Sequence, residues 1–277
     1  MYIFAKPLAL IIRPIYELVK DYGLTLIIVT VLIRLITIPL TVMSQKSVAK
    51  TQLIQPEIQK IQKKYANDKN KQSMELQKLY QKHQINPLGG CLPLIVQMLV
   101  LFGFIRVVYD PLVYILQMSK DQVNAIMSAV GAPKGTYQVT LCGMKGVVEE
   151  IIALGKTPID FDFFGINLTM MPKGNEKDIL VWIFPALATI ATYISGYITK
   201  LQTPQPEPSR TGEVPAPNMS DTMLKIMPIM TAVFTYMMPI GMSLYWFVST
   251  AVQILQQTVI NKAINKKVKA EIEGMKK

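Results

Sequence analysis

Residues 23–43, GLTLIIVTVLIRLITIPLTVM, hold a single charge, Arg34, in an otherwise uncharged and mostly apolar stretch of twenty-one residues. A hydrocarbon core about 30 Å thick takes on the order of 20 helical residues to cross, so this stretch is long enough to span a membrane. Arg34 is the twelfth residue from Gly23 and nine residues short of Met43, roughly 13 Å of helix from that end. An arginine near the middle of a span costs about 2.5–3.5 kcal/mol on insertion scales, so it needs a bundle interior, a hydrated cavity or a partner charge.

The rest of the chain agrees with a membrane setting, since 51% of its 277 residues are hydrophobic and 17% are charged, more apolar than an ordinary soluble domain. Five segments reach spanning length: 23–43, 91–112, 179–200, 223–239 and 241–260. The last two are parted by Pro239, Ile240 and Gly241, a break suited to a tight turn between antiparallel helices. The fold class this predicts is an all-α polytopic membrane protein with five transmembrane helices.

Orientation follows from lysine asymmetry, because cytoplasmic segments keep an excess of Lys and Arg. Segment 44–90 has nine lysines against three acids and tail 261–277 has six against two, whereas 113–178 has six against seven. The first two are read as cytoplasmic and the third as external, and five spans then leave the N-terminus outside. Cys91 and Cys142 fall on opposite sides in this topology, so no mutual disulfide is expected.

Residues 1–22 read as an external interfacial helix. Leu8, Ile11, Ile12, Ile15, Leu18, Val19 and Tyr22 recur at helical spacing, with Lys6, Arg13, Glu17, Lys20 and Asp21 interrupting them. A signal peptide is the rival reading, disfavoured by the charges that break the apolar run and by the lack of a small-residue cleavage site. Segment 44–90 reads as a soluble helical hairpin, with apolar Val48, Ile54, Ile58, Ile61 and Tyr65, then polar 67–70, then Met74, Leu76, Leu79 and Tyr80. Two roles stay open for it: a solvated pair packed on itself, or a docking surface for partners or lipid head groups. Linker 201–222 carries five prolines, at 204, 206, 208, 215 and 217, and reads as an extended cytoplasmic connection. External segment 113–178 shows no clean period and ends in the short motif Phe161–Leu168.

No carboxylate lies well inside any span, the nearest being Asp110 at the outer end of the second. Water is then the expected ligand of Arg34. Snorkelling toward the head groups, helped by a kink at Pro39 that frees the Leu35 carbonyl, is the simpler account. Against it stand polar residues at helical spacing on other spans. Thr189, Thr192, Ser195 and Thr199 mark the third, Trp246, Ser249, Gln253 and Gln256 the fifth, and Gln97 the second. Arg34, Gln97, Thr192, Ser195, Trp246, Ser249 and Gln253 are the candidate lining of one hydrated groove, although each stripe alone is more often a helix-packing face. Seven methionines from Met219 to Met242 offer an adaptable apolar surface, or ordinary packing.

With one histidine, no cysteine pairs at ligand spacing and no phosphate-loop motif, neither zinc nor nucleotide chemistry is supported; no cofactor and no enzyme activity are expected. Ion-coupled transport usually uses carboxylates or histidine within the membrane and is disfavoured. An anion channel or carrier stays open, since a buried arginine attracts anions.

The run Leu53–Tyr65, LIQPEIQKIQKKY, resembles the cytoplasmic hairpin of the YidC-type membrane insertases (YidC/Oxa/Alb family). Ile85–Pro93, INPLGGCLP, resembles the entry to their next helix, and Pro239–Trp246, PIGMSLYW, with Gln256 and Gln257, their last span. The resemblance runs in order from about Pro7 to Asn261. It implies a protein of the bacterial inner membrane that inserts and helps fold other membrane proteins. It also implies a positively charged groove open to the cytoplasm and to lipid but closed outside. Arg34 falls where the groove arginine belongs and Trp246 matches a groove residue, while Ser195 stands near a position that is glutamine in many members. Neither the large external domain of Gram-negative members nor a lipoprotein-type signal is expected here. The partners implied are nascent membrane protein clients and the lipid bilayer, with the Sec translocon, the ribosome and the signal recognition machinery meeting the hairpin and basic tail.

Overall fold

The structure, a computed structural model, describes residues 2–86, 92–202 and 219–275. Helices dominate, and among the described residues strand pairing is confined to one short hairpin.

Helix α1 (Tyr2–Val19) runs through Pro7 and Pro14. It buries Ala5, Leu8, Ile12 and Tyr16, spaced three or four residues apart, against α6 (Leu92–Tyr109) and α2 (Tyr22–Ile36). Leu18, grouped with the apolar stripe in the sequence, is 84% exposed. The buried stripe of α1 therefore packs on protein.

Asp21 starts α2 by accepting the Leu24 N–H at 2.7 Å, which supplies an acceptor to one of the orphan amides of the first turn. The helix ends at Thr37, whose N–H reaches the Ile33 carbonyl at 3.0 Å, and α3 (Ile38–Leu53) leaves at 54° to α2. Pro39 explains the break, because it has no N–H to offer the Leu35 carbonyl. The α3 helix runs past Met43 to Leu53, so the small helical hairpin beyond it has its own core only from Ile54 onward. That hairpin is α4 (Gln55–Lys64) and α5 (Lys69–Lys82), joined by a turn in which Asp68 accepts the Lys71 N–H at 3.0 Å. Ile54, Ile58, Leu79 and Ile85 close its core.

The segment after α6 is ordered by local structure that its sequence does not advertise. Short helices α7 (Pro111–Tyr114), α8 (Lys120–Ala129), α9 (Gln138–Cys142) and α10 (Val147–Ala153) enclose Leu112, Val123, Ile126, Leu141, Val147 and Ile151. Ser119 and Gln122 form a reciprocal capping box at the start of α8. Strands β1 (Asp162–Phe163) and β2 (Ile166–Asn167) then pair antiparallel across a two-residue turn. Phe163 lies so close over Gly23 that a Cβ there would clash with the edge of its ring. Past β2, the Leu168 and Met170 carbonyls accept the Gly241 and Ile240 N–H groups at 3.0 and 2.8 Å. This loop thus supplies acceptors to the first amides of α13 (Ile240–Met275) where it turns back from α12 (Met219–Met237).

Helix α11 (Ile183–Gln202) packs on α12 and α13, and α13 packs on α2 and α3. Among the described residues, Ile179–Leu201 is long and apolar enough to cross a membrane by itself. The bent pair α2–α3 passes the same test jointly, and Leu94–Tyr109 is a shorter apolar helix. Many apolar side chains face outward: Ile36 and Leu94 are exposed, as are Ile190, Tyr193, Ile229 and Val233. Such a surface suits lipid as its surroundings.

Candidate functional site

Arg34 lies in the last turn of α2, three residues before Thr37, where α2 gives way to α3. Its Nε and Nη2 donate to the Ser249 hydroxyl of α13 at 3.0 and 2.7 Å, and Nη2 also donates to Gln253 Oε1 at 3.1 Å. One helical turn separates Ser249 from Gln253, so both acceptors present themselves to one guanidinium. The sequence leaves water as the permanent ligand and offers Ser249 and Gln253 as neighbours in one groove; in the structure their hydroxyl and amide oxygen are the guanidinium's acceptors. Both are neutral, and among the described residues no carboxylate pairs with Arg34. The arginine's charge is thus hydrogen-bonded without being cancelled. Ser249 is buried while Gln253 is exposed, so the cluster opens at its Gln253 side.

Gln97 joins this cluster through an intermediary that the sequence stripes did not include. Its Nε2 donates to the Tyr245 hydroxyl at 2.7 Å, and the Tyr245 ring stacks on Phe104, centroids 4.1 Å apart. Tyr245 precedes Ser249 by four residues, the same interval that separates Ser249 from Gln253. That i, i+4, i+8 polar series is the signal by which it is recognisable.

The remaining candidates lie apart from the guanidinium in their contacts. Thr192 donates to the Ala188 carbonyl of its own helix at 2.8 Å, and Thr199 does the same to Ser195 at 2.9 Å. Such back-bonding is the usual way a small hydroxyl is satisfied in an apolar helix. Ser195 is buried on α11. Thr199 also accepts from Gln257 Nε2 at 3.1 Å, tying α11 to α13. Trp246 faces α12, its ring nearly parallel to that of Phe234 with centroids 6.4 Å apart.

A helical bundle with an apolar exterior and an uncancelled arginine held between two of its helices defines an integral membrane protein. Residues 14–267 match the 60Kd inner membrane protein family, and the chain belongs to that family, the YidC/Oxa1 group. It is 29% identical over 255 residues to the membrane protein insertase YidC of Fusobacterium nucleatum subsp. nucleatum, covering 92% of this chain and 93% of that relative. Identity is 27% over 264 residues to the YidC of Brucella suis biovar 1 and 28% over 261 residues to that of Rickettsia conorii. Each of those alignments takes in 94% of this chain, which spans 36% of the Brucella protein and 39% of the Rickettsia protein.

Proposed function

We propose that this chain is a membrane protein insertase that receives clients at a hydrated, positively charged groove around Arg34, in the inner leaflet of a bacterial inner membrane. The carrying observation is the Arg34 guanidinium held by the Ser249 hydroxyl and Gln253 amide oxygen without a counter-charge. A client carboxylate offers that cation a stronger, charge-assisted partner than either neutral ligand. Family membership and the insertase names of its relatives support the same reading.

In this reading the chain has five spans with the N-terminus outside. The bent α2–α3 unit, α6, α11, α12 and the first part of α13 cross the bilayer, while the α4–α5 hairpin and the C-terminal tail are cytoplasmic. Gln97, Thr192, Ser195 and Trp246 line the route with the Arg34 cluster. A client with a short acidic tail enters from the cytoplasm, exchanges Ser249 and Gln253 for its own carboxylate, and slides its apolar span into lipid along the exposed faces of α11 and α12. Insertion scales give about 0.3–0.6 kcal/mol per Leu, Ile, Phe or Val, or roughly 6–12 kcal/mol for twenty such residues. A potential positive outside adds about 2.3 kcal/mol per acidic charge moved outward for each 100 mV. These terms favour insertion without a hydrolysed cofactor. The lysines of hairpin and tail suit ribosomal RNA phosphates, the Sec translocon, signal recognition machinery or anionic head groups.

The test is insertion of a small acidic-tailed single-span client into proteoliposomes holding wild type, Arg34→Lys, Arg34→Ala or no protein, with anion flux recorded in parallel. Insertion that requires the protein, survives lysine and falls with alanine is the expected result. Anion flux without client insertion would reject the insertase in favour of the channel or carrier.

A further inference from the structure

The tip of the β1–β2 hairpin carries a residue that neither its turn nor its packing explains. Phe164 and Gly165 form the two-residue connection, both at positive φ, 53° and 78°, as the central residues of a type I′ turn are. Such turns favour Asn-Gly, and a bulky residue at positive φ is an outlier. Phe164 nevertheless occupies the first position and is 88% exposed, its one ring contact among the described residues being edge-on to neighbouring Phe163 at 4.7 Å. Asp162 holds the turn by accepting the Gly165 N–H at 2.9 Å, so the turn has its own fastening.

The position of the tip is fixed by Phe163, which lies over Gly23 and 6.2 Å from the Phe184 ring. Gly23 and Phe184 stand at the beginnings of the two stretches that are long and apolar enough to span, α2–α3 and Ile179–Leu201. The hairpin therefore sits level with the same end of two spans. At that end Ile179, Trp182 and Ile183 are also exposed, and the apolar exterior continues along α11 through Leu187 and Ile190. Aromatic side chains at the ends of spans partition to the head-group boundary.

We propose that Phe164 is a membrane-interface anchor, inserted into the outer head-group and acyl boundary, where it sets the depth of this end of the bundle. The inference rests on the spanning arrangement given under the proposed function. Its occupant is lipid because Phe163, next in the chain to Phe164, lies 6.2 Å from the Phe184 ring of α11, and Ile179, Ile183, Leu187 and Ile190 of that same stretch are exposed and apolar. The turn geometry aims the side chain away from the chain's own core, as a wedge into a surrounding phase requires.

The experiment uses the full chain in liposomes, with an environment-sensitive fluorophore on Phe164→Cys, Lys134→Cys or Ile190→Cys and the unsubstituted chain as labelling background. Quenching is read with aqueous iodide and with lipids bearing a nitroxide near the head group or deep in the acyl chain. The expected result is several-fold stronger quenching at 164 by the shallow nitroxide than by the deep one, with little by iodide. Lys134 should be quenched by iodide, and Ile190 by the deep nitroxide. Iodide quenching at 164 equal to that at 134, with Ile190 still deep, overturns the anchor and leaves the spanning reading intact. Shielding of 164 from both quenchers assigns the tip to a protein partner or second copy and also overturns it. Loss of deep quenching at Ile190 rejects the spanning arrangement itself. A Phe164→Trp chain, with emission compared to the parent, repeats the depth measurement without a cysteine label.

Discussion

Gln256 of α13 donates its Nε2 to the main-chain carbonyl of Arg34 at 2.9 Å, and the Thr37 hydroxyl reaches the same carbonyl at 3.1 Å. The residue whose side chain is held by Ser249 and Gln253 is thus also held by its backbone from the same helix. Helix breaks leave carbonyls in need of donors, and here the donor comes from the element that supplies the guanidinium's acceptors. The bend in α2–α3 and the placing of Arg34 are one arrangement, with α13 as its fixed side.

Replacing Gln256 by alanine removes that donor. Interhelical hydrogen bonds within membranes are worth about 0.6 kcal/mol on average and up to about 1.7 kcal/mol, so Gln256→Ala is expected to lower stability within that range. Thermal unfolding in detergent measures the loss, and no change would show that Thr37 alone suffices.

Pro39→Ala restores an N–H opposite the Leu35 carbonyl and is expected to straighten the helix at Thr37. Spin labels at Leu32 and Lys46, both on exposed positions, straddle the bend. Relaxing a 54° bend lengthens that separation by roughly 2 Å at 1.5 Å rise per residue. An unchanged distance distribution would mean that α13 imposes the bend whatever the sequence at position 39.

Arg34 is legible in the sequence because one charge in an apolar run demands an explanation, and Pro39 marks the break because its missing N–H is a local fact. Ser249 and Gln253 can be read as a stripe on one face, since four residues make roughly one helical turn. What the stripe cannot reveal is which hydroxyls turn back on their own helix, as Thr192 and Thr199 do. Nor does it reveal that Trp246 faces Phe234, because a spacing of three sets Trp246 only about 60° round the helix from Ser249, near enough to count on the same stripe while turned toward α12. Tyr245 extends the Ser249–Gln253 series by one turn, and its hydroxyl gains a role once Gln97 is known to lie opposite. The helices of the segment after α6 are too short for periodicity to show. Helical class and family are plain from composition and motifs, whereas the span count rests on hydropathy and charge.

Cys142 lies where the core of the bundle meets that of the short helices α7–α10 and packs against both. Burial pushes its thiol up to about 12, against about 8.5 for an unperturbed cysteine. The native chain is therefore expected to resist alkylation at pH 8 and to react when the segment opens. The folded state holds the proton more tightly than the unfolded one, so this contribution to stability is complete below the ordinary cysteine value. It is lost as pH rises from there toward 12. Alkylation rates measured across this range, with and without denaturant, check both points.

Gly23→Ala would drive a methyl group against Cγ and Cδ2 of Phe163. Overpacking of this kind costs about 1–3 kcal/mol, and the hairpin is the element free to move. The expected outcome is a lowered unfolding temperature that is partly restored by Phe163→Leu in the same chain. If the double replacement adds to the damage, the clash has been relieved elsewhere and the hairpin does not depend on Gly23.

The Ser249 hydroxyl accepts two of the Arg34 N–H groups, the shorter at 2.7 Å, and is buried, while Gln253 accepts one at 3.1 Å from an exposed position. Hydrogen bonds to a charged group are worth about 1.5–3 kcal/mol, and burial places Ser249→Ala toward the upper end and Gln253→Ala below it. A lone loss does not distinguish a lost acceptor from a cavity, so Ser249→Ala is combined with Arg34→Ala. If the hydroxyl acts through the guanidinium, serine removal costs little once arginine is gone, and the pair couples by more than about 0.5 kcal/mol. Additive losses would show that Ser249 serves helix packing alone. In the insertion assay Ser249→Ala carries the opposite sign to its stability effect. It removes a neutral ligand that competes with the client carboxylate, so acidic-tailed clients are expected to insert at least as fast as into wild type, and slower insertion would show that the hydroxyl positions the arginine for its client.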